Sequence, residues 1–321
     1  MSSPNPSTLP GQHVPSLPPN VWVLERGWLS ANSTVLIGPE GTALVDSGYC
    51  SHAAQTVALV HQTLQGRPLD RLLNTHLHSD HCGGNAELQR CHPSVQTWIP
   101  PGEADAVRAW DEDRLSYRAT GQRCPRFRVD GLLQPGTTTV LAGRAWQVLA
   151  APGHDPHAVL LFDATHGVLI SGDALWDNGF GVVFPEIEGE SAFDAVADTL
   201  DLIDALDVRI VIPGHGPVFG GTRARVDEAL ARARSRLTQF RDRPAQHTLY
   251  AAKVLLKFRL MDWGRLPMAD LLAWCEATPY MGALNRASRP SDPLESWVAE
   301  LLAALARSGS LHMADGWVED R

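Results

Sequence analysis

The chain has 321 residues, a formal net charge of -9 at pH 7 and 44% hydrophobic residues. This length allows one large core, or one core with a small appendage. The acidic balance gives no broad attraction for nucleic acid or anionic membranes, and no apolar run approaches the roughly 18 residues of a membrane-spanning helix. We therefore expect no membrane association and regard nucleic acid as an unfavoured partner.

Residues 1–19 are rich in Pro and Ser, which predicts a disordered arm. This segment has neither the basic start nor the apolar stretch of a secretory signal. The five cysteines are odd in number and lack CxxC spacing, which favours free thiols in a reducing compartment. These features predict a cytoplasmic protein.

Residues 20–221 alternate β-rich runs with helical stretches and are predicted to form the main domain. Strands are predicted at VWVLER, TVLIG and TALVD, followed by an apolar-periodic helix at about His52–Leu64. The buried run RLLNT, which ends at Thr75, then leads into a histidine-rich loop. A second half repeats this order, with strands at TTTVL, WQVLAAP, AVLLFD and GVLISGD, a helix with Ser191 as its predicted N-cap, and RIVIPGHG. Two such halves predict two sheets packed face to face with helices outside, an α/β fold of the αββα type.

The character of the sequence changes after residue 221. Residues 222–243 read as an arginine-rich connecting helix that stops before Pro244. Residues 244–321 contain helical patterns at about Leu249–Met261, Met268–Cys275 and Glu295–Ala306, and then a terminal turn with a possible hairpin. We expect a small C-terminal helical domain that is winged-helix-like, with an ordinary helical cap as the alternative.

The strongest chemical signal is the segment NTHLHSDHCGG. It offers His76, His78, Asp80 and His81 within six residues. Borderline-soft Zn²⁺ accepts imidazole nitrogen and carboxylate oxygen, and so dense a loop can present ligands to two ions. The glycines that follow allow a tight exit from the loop.

Three further candidate ligands follow predicted strands. His154 comes after WQVLAAP, Asp173 after GVLIS, and His215 after RIVI. Loops at strand ends are the usual place for chemistry on a rigid scaffold. Together with the first motif, these residues predict a site with five histidines and two aspartates.

Over about residues 20–220 the sequence resembles the metallo-β-lactamase superfamily, through THLHSDHCGG, PGH, GD and PGHG in that order. The resemblance implies a four-layer αββα sandwich with two metal ions. It also implies ligand roles, with Asp173 as the carboxylate that bridges both ions. The first ion would be held by His76, His78 and His154, and the second by Asp80, His81 and His215.

Two zinc ions fit this ligand set, with iron or manganese as alternatives. A water between two such ions loses a proton near neutral pH, and the hydroxide can attack a carbonyl or phosphoryl centre. We expect Asp173 and Asp80 to be catalytic, and the resemblance suggests that Asp80 orients the nucleophile. Asp46 and His157 are candidates for orienting ligands from outside the metal shell, whereas Cys82 is expected to serve packing.

The substrate is less well defined, because this fold hosts many reactions. The motifs look more like the thioesterase and lactonase branches than secreted β-lactamases, and they favour hydrolysis of an ester or thioester of a small, anionic molecule. The arginines of RLSYRATGQRCPRFRVDG, in particular Arg118, Arg123 and Arg126, are candidate anion contacts.

Two alternative functions stay open. Most of the chain is also similar to the LACTB2-like group, which places a winged-helix-like domain after its PGHGP segment. Some members of that group cleave single-stranded RNA, so a phosphodiesterase or endoribonuclease is one alternative. An iron-dependent redox member of the same fold is the other, although His78 stands where the related flavodiiron proteins have glutamate. The sequence does not indicate an oligomeric state.

Overall fold

The computed structural model describes residues 15–321. The predicted disordered arm falls largely on residues 1–14, which lie outside the described residues. Leu17, just after them, packs against the core between the two sheets. Among residues 15–321, no helix is both long and apolar enough to cross a membrane.

The first sheet contains six strands in sequential order. Strands β1 to β3 pair antiparallel, and β3 to β6 pair parallel. Helices pack on the outer face of this sheet, where Val60 and Leu64 meet Leu44 and Leu72. The strands are β1 (Val21–Leu24), β2 (Ser33–Gly38), β3 (Gly41–Val45), β4 (Arg71–Leu73), β5 (Gln96–Ile99) and β6 (Gly131–Leu132). The helices in this part of the chain are α1 (Ala53–Leu64), α2 (Ser79–Cys82), α3 (Asn85–Cys91), α4 (Ala104–Ala109) and α5 (Tyr117–Thr120).

The second sheet also contains six strands, in the order β12-β11-β10-β9-β8-β7. Strands β10 and β11 pair in parallel, and the other neighbouring strands of this order pair antiparallel. Its inner face meets the first sheet through a core that includes Leu36, Leu73, Trp146 and Ile212. The strands are β7 (Thr138–Leu141), β8 (Arg144–Ala150), β9 (Val159–Asp163), β10 (Val168–Gly172), β11 (Ile210–Pro213) and β12 (Phe219–Gly220).

Three helices follow strands of the second sheet, namely α6 (Phe184–Ile187), α7 (Ala192–Ala205) and α8 (Arg223–Asp242). Leu200 and Leu230, from α7 and α8, share a buried cluster with Leu160 of β9. Helices therefore flank both sheets, and the predicted four-layer αββα architecture is confirmed.

The cap of α7 differs from the sequence expectation. Ser191 occupies the N-cap position, but its side chain makes no capping hydrogen bond. The Glu186 carboxylate instead accepts from the backbone N–H groups of Ala192 and Phe193. A carboxylate at this end also complements the helix dipole. The cap was missed because Glu186 belongs to the preceding helix.

The C-terminal region has its own core, in which Leu256, Met281, Trp297 and Leu302 are buried. Its helices are α9 (Pro244–Trp263), α10 (Met268–Ala277), α11 (Pro279–Ser288) and α12 (Leu294–Arg307). A three-stranded antiparallel sheet joins them, formed by β13 (Arg265–Pro267), β14 (Leu311–Ala314) and β15 (Trp317–Asp320). Helix α11 was not anticipated, because its sequence PYMGALNRAS contains both Pro and Gly.

Candidate metal centre

The histidine-rich loop leaves the end of β4 and turns at once into the short helix α2. The side chain of Asn74 donates to the carbonyl of His81 and accepts from the side chain of Asn85, which fixes the loop on both sides. Gly83 must be a glycine, because a Cβ there would lie 2.5 Å from the backbone nitrogen of Cys50. The loop therefore folds tightly and turns several of its polar side chains inward.

The other candidate ligands arrive from the second sheet. His154 follows β8, Asp173 follows β10, and His215 follows β11. Gly214 lets β11 end beside the carboxylate of Asp173, since a Cβ at Gly214 would lie 2.2 Å from Asp173 Oδ1. Ligands from both sheets thus meet at one edge of the sandwich.

The structure brings all seven predicted ligands together in three overlapping groups. Within each group, one candidate atom per residue lies within 4.8 Å of the others. The groups are His76, His78 and His154; His76, His81 and Asp173; and Asp80, His81 and His215. His78 Nδ1 lies 2.8 Å from His154 Nε2, and His215 Nε2 lies 3.1 Å from Asp80 Oδ2.

Asp173 belongs to the middle group and lies between the other two. Its Oδ1 lies 3.3 Å from His81 Nε2, and its Oδ2 lies 3.4 Å from His154 Nε2 and 3.8 Å from His215 Nε2. Its side chain is only 6% exposed. One carboxylate thus faces histidines from both ends of the cluster, which is the arrangement that a bridging ligand requires.

The donor atoms fit divalent cations. His76 Nε2 and His81 Nε2 are buried and have no hydrogen-bond partner within the described chain. Buried polar atoms without partners are costly and rare in native proteins. Imidazole nitrogens that converge with carboxylate oxygens satisfy that cost by binding a metal ion such as zinc.

Electrostatics favour the metal-binding protonation state of several ligands. Burial, together with His81, His78 and His154, lowers the pKa of His76 well below its usual value. Burial also lowers the pKa of His154 to about 4. Burial by itself raises the pKa of Asp173, but His81 and His215 hold it well below the usual range. Neutral imidazoles and ionised carboxylates are the forms that bind metal.

Outer contacts orient two of the rings. Asp46 Oδ2 lies 2.8 Å from His81 Nδ1, and its carboxylate also accepts from the backbone N–H and hydroxyl of Thr75. His154 Nδ1 lies 2.5 Å from the carbonyl oxygen of Val182. Both contacts leave Nε2 directed at the centre of the cluster, as an orienting partner should.

His157 is exposed, and it lines a neighbouring polar cavity rather than the cavity over the cluster. Asp155, by contrast, is 4% exposed and places Oδ2 3.9 Å from His78 Nε2, within ion-pair distance but beyond a hydrogen bond. Asp155 directly follows the predicted ligand His154 but was not among the predicted site residues. Cys82 is buried, with its thiol contacting the hydroxyl of Tyr117 rather than the cluster.

An apolar cavity of about 430 Å³ lies over the cluster. His78, Asp80, His154, Asp173 and His215 reach its surface. Most of its remaining wall is aromatic or aliphatic, and helix α9 supplies much of it. The apolar and aromatic wall residues include Trp28, Trp176, Val182, Phe184, Tyr250, Val254, Phe258 and Met261. The indole of Trp28 is stacked against the ring of His215, with centroids 5.3 Å apart.

The three candidate arginines do not line this cavity. Arg118 pairs with Asp113, Arg123 pairs with Asp262, and Arg126 donates to a backbone carbonyl. The same segment reaches the cavity through Thr120 and Gln122 instead.

Comparisons with known proteins agree with this geometry. The family model described as "Metallo-beta-lactamase superfamily" matches residues 26–215. The human acyl-coenzyme A thioesterase MBLAC2 is 26% identical over 222 residues, which cover 63% of this chain and 80% of that protein. A metallo-beta-lactamase family protein from Thermus thermophilus aligns with a TM-score of 0.55 at 20% identity, over 95% of this chain and all of that one. The protein TTHA1623, solved in a di-iron-bound form, aligns with a TM-score of 0.51 at 28% identity, over 62% of this chain and 94% of that one.

Proposed function

Since this chain belongs to the metallo-β-lactamase superfamily and is a metal-dependent hydrolase, we propose that it cleaves a thioester or ester with two divalent ions, most simply zinc. The proposal assigns one ion to His76, His78 and His154, and the other to Asp80, His81 and His215, with Asp173 shared. What supports this division is the position of the Asp173 carboxylate, within 4 Å of ring nitrogens from both sets.

Bound ions of this kind supply a nucleophile from water near neutral pH and polarise the oxygen that gains charge. The protein's own contribution is orientation and exclusion of water. Asp80 is 14% exposed and borders the cavity, so its carboxylate is placed to hold a proton beside the reacting group. Trp176 donates from Nε1 to Asp173 Oδ1 at 3.2 Å, which restrains that carboxylate. The apolar wall keeps bulk water away from the reacting carbonyl.

The apolar cavity is the observation that carries the choice of substrate. Phe184, Val254 and Phe258 offer an acyl group a surface to bury. A phosphodiester strand would gain little there, because the wall is mostly apolar and, among residues 15–321, its cations are Lys253 and Lys257, the second of which already pairs with Asp320. MBLAC2 is named an acyl-coenzyme A thioesterase, and this supports a thioester ahead of a phosphodiester.

A substrate panel on zinc-loaded protein tests the proposal. The panel contains acyl thioesters, carboxylic esters, lactones, a phosphodiester and single-stranded RNA. We expect thioesters or esters to be cleaved, and we expect Asp173→Asn to abolish that activity. Cleavage of RNA alone would refute the proposal in favour of an endoribonuclease. Because TTHA1623 was solved with two iron ions, the panel is repeated with iron-loaded protein.

A further inference from the structure

A groove on the surface of the C-terminal region adjoins the apolar cavity. It lies between α9 and α12 and has a volume of about 390 Å³. Lys253 lines both the groove and the cavity. The groove carries three basic side chains and one acidic side chain, namely Lys253, Arg289, Arg307 and Glu300.

The helical geometry of α9 places Lys253 at the rim. Tyr250, Val254, Phe258 and Met261 recur every three or four residues and line the cavity, so they form one stripe of the helix. Lys253 comes one residue before Val254 and is therefore turned about 100° from it. Its side chain therefore lies at the boundary between the cavity and the groove beside α12.

The basic side chains in and beside the groove differ in whether an acidic side chain neutralises them. Lys257, also on the cavity wall, is bound by Asp320 Oδ1 and by the carbonyls of Ser310 and Arg321. Arg289 is shared with Asp292 and Glu300. Within residues 15–321, neither Lys253 nor Arg307 has an ion pair with a carboxylate. Among residues 15–321, Lys253 at the rim of the cavity and Arg307 in the groove thus have no carboxylate partner, in a chain whose net charge is -9.

We propose that this groove binds the phosphate groups of the substrate's leaving group. The inference rests on the proposed function: the acyl group occupies the apolar cavity, the scissile thioester faces the metal centre, and a phosphorylated thiol carrier leaves past Lys253. One guanidinium group can bind two phosphate oxygens at once through parallel hydrogen bonds, and an ammonium group adds a compact positive charge. Arg307 and Lys253 supply one of each.

The size and charge of the groove favour a small carrier over a nucleic-acid strand. Two free cations match one or two phosphate groups. A bound strand needs a basic track along several successive phosphates. Glu300 lies inside this groove and pairs with Arg289, so the basic side chains do not form a continuous track.

Paired substrates test the groove without changing the reacting bond. An acyl-coenzyme A is compared with the N-acetylcysteamine thioester of the same acyl group, which carries no phosphate. We expect Lys253→Gln and Arg307→Gln each to lower kcat/KM for the coenzyme A thioester by about 10-fold, mainly through KM. Arg307 does not line the cavity, so Arg307→Gln should leave the neutral thioester unchanged. The control is Arg90→Gln in α3, whose exposed side chain pairs with Glu87 and lines neither the groove nor the cavity.

Binding is measured separately from turnover. Calorimetry uses adenosine 3′,5′-diphosphate, a phosphorylated fragment without a thiol that could bind the metal. We expect binding that weakens with salt and is lost in the Lys253→Gln/Arg307→Gln double variant. Equal use of both thioesters, with no effect of the variants on either assay, would overturn the groove and leave the proposed function standing. Variant-sensitive binding without hydrolysis of any thioester or ester would refute the proposed function and leave the groove standing.

Discussion

The carboxylate of Asp46 holds the ring of His81 by a 2.8 Å contact to Nδ1, while Nε2 of the same ring faces Asp173. Asp46 adopts a positive φ of 60° to reach this position, a conformation that is uncommon outside glycine and costs stability. Two hydrogen bonds from Thr75 fix the carboxylate. One carboxylate, from Asp46, therefore contacts Nδ1 of His81, and the other, from Asp173, faces Nε2 of the same ring.

This relationship predicts different outcomes for two alanine variants. Asp46→Ala removes only orientation, so activity or metal affinity should fall by about 10–100-fold. Asp173→Ala removes the carboxylate between the two ligand sets and should lose more than that, together with part of the bound metal. Steady-state kinetics and metal analysis on folded variants measure both effects. Equal losses would show that Asp173 is not the shared ligand.

Filling the cavity should change acyl-chain preference. Val254 is half-buried on the cavity wall, so Val254→Trp occupies space that a long acyl group needs. We expect at least a roughly 10-fold loss of kcat/KM for long-chain thioesters and little change for acetyl thioesters. The control is Val140→Trp on an exposed strand, where the side chain is 54% exposed. An equal loss for short and long chains would indicate a general disturbance rather than acyl binding.

A buried histidine outside the metal site should make stability depend on pH. His247 is 2% exposed, packs against the rings of Phe193 and Phe240, and accepts a hydrogen bond from the backbone of Val183. Burial lowers its pKa to about 4. The unfolded chain, with a histidine pKa near 6.5, therefore binds this proton first, and the native state loses stability as pH falls from about 6.5 to about 4.

The variant His247→Gln keeps an acceptor for Val183 but cannot titrate. We expect the stability advantage of the wild type over this variant to shrink by roughly 2–3 kcal/mol between pH 7 and pH 4. Urea unfolding of both proteins across this range, in the presence of chelator, measures the difference. A difference that does not vary with pH would contradict the assignment.

Local patterns predicted the site better than its surroundings. The seven candidate ligands follow strand ends or lie in one dense loop, so their positions could be inferred without knowing how the sheets pack. Glu186 caps a helix other than its own, and α9 reaches the cavity from the C-terminal region, so no local pattern marks either of them. Asp155 is next to a predicted ligand, but its contact with His78 depends on the folded loop. The arginines between Arg114 and Arg128 were conspicuous in the sequence, but the sequence did not reveal their partners. Asp113 pairs with Arg118, and Asp262 pairs with Arg123.

The metal content of the protein tests the central claim most directly. Seven ligands exceed what one tetrahedral zinc site uses. Protein purified without chelator and saturated with zinc should therefore bind about two equivalents per chain, and thioester or ester hydrolysis should rise with the occupancy of the second. Saturation at about one equivalent with full activity would contradict a binuclear hydrolase.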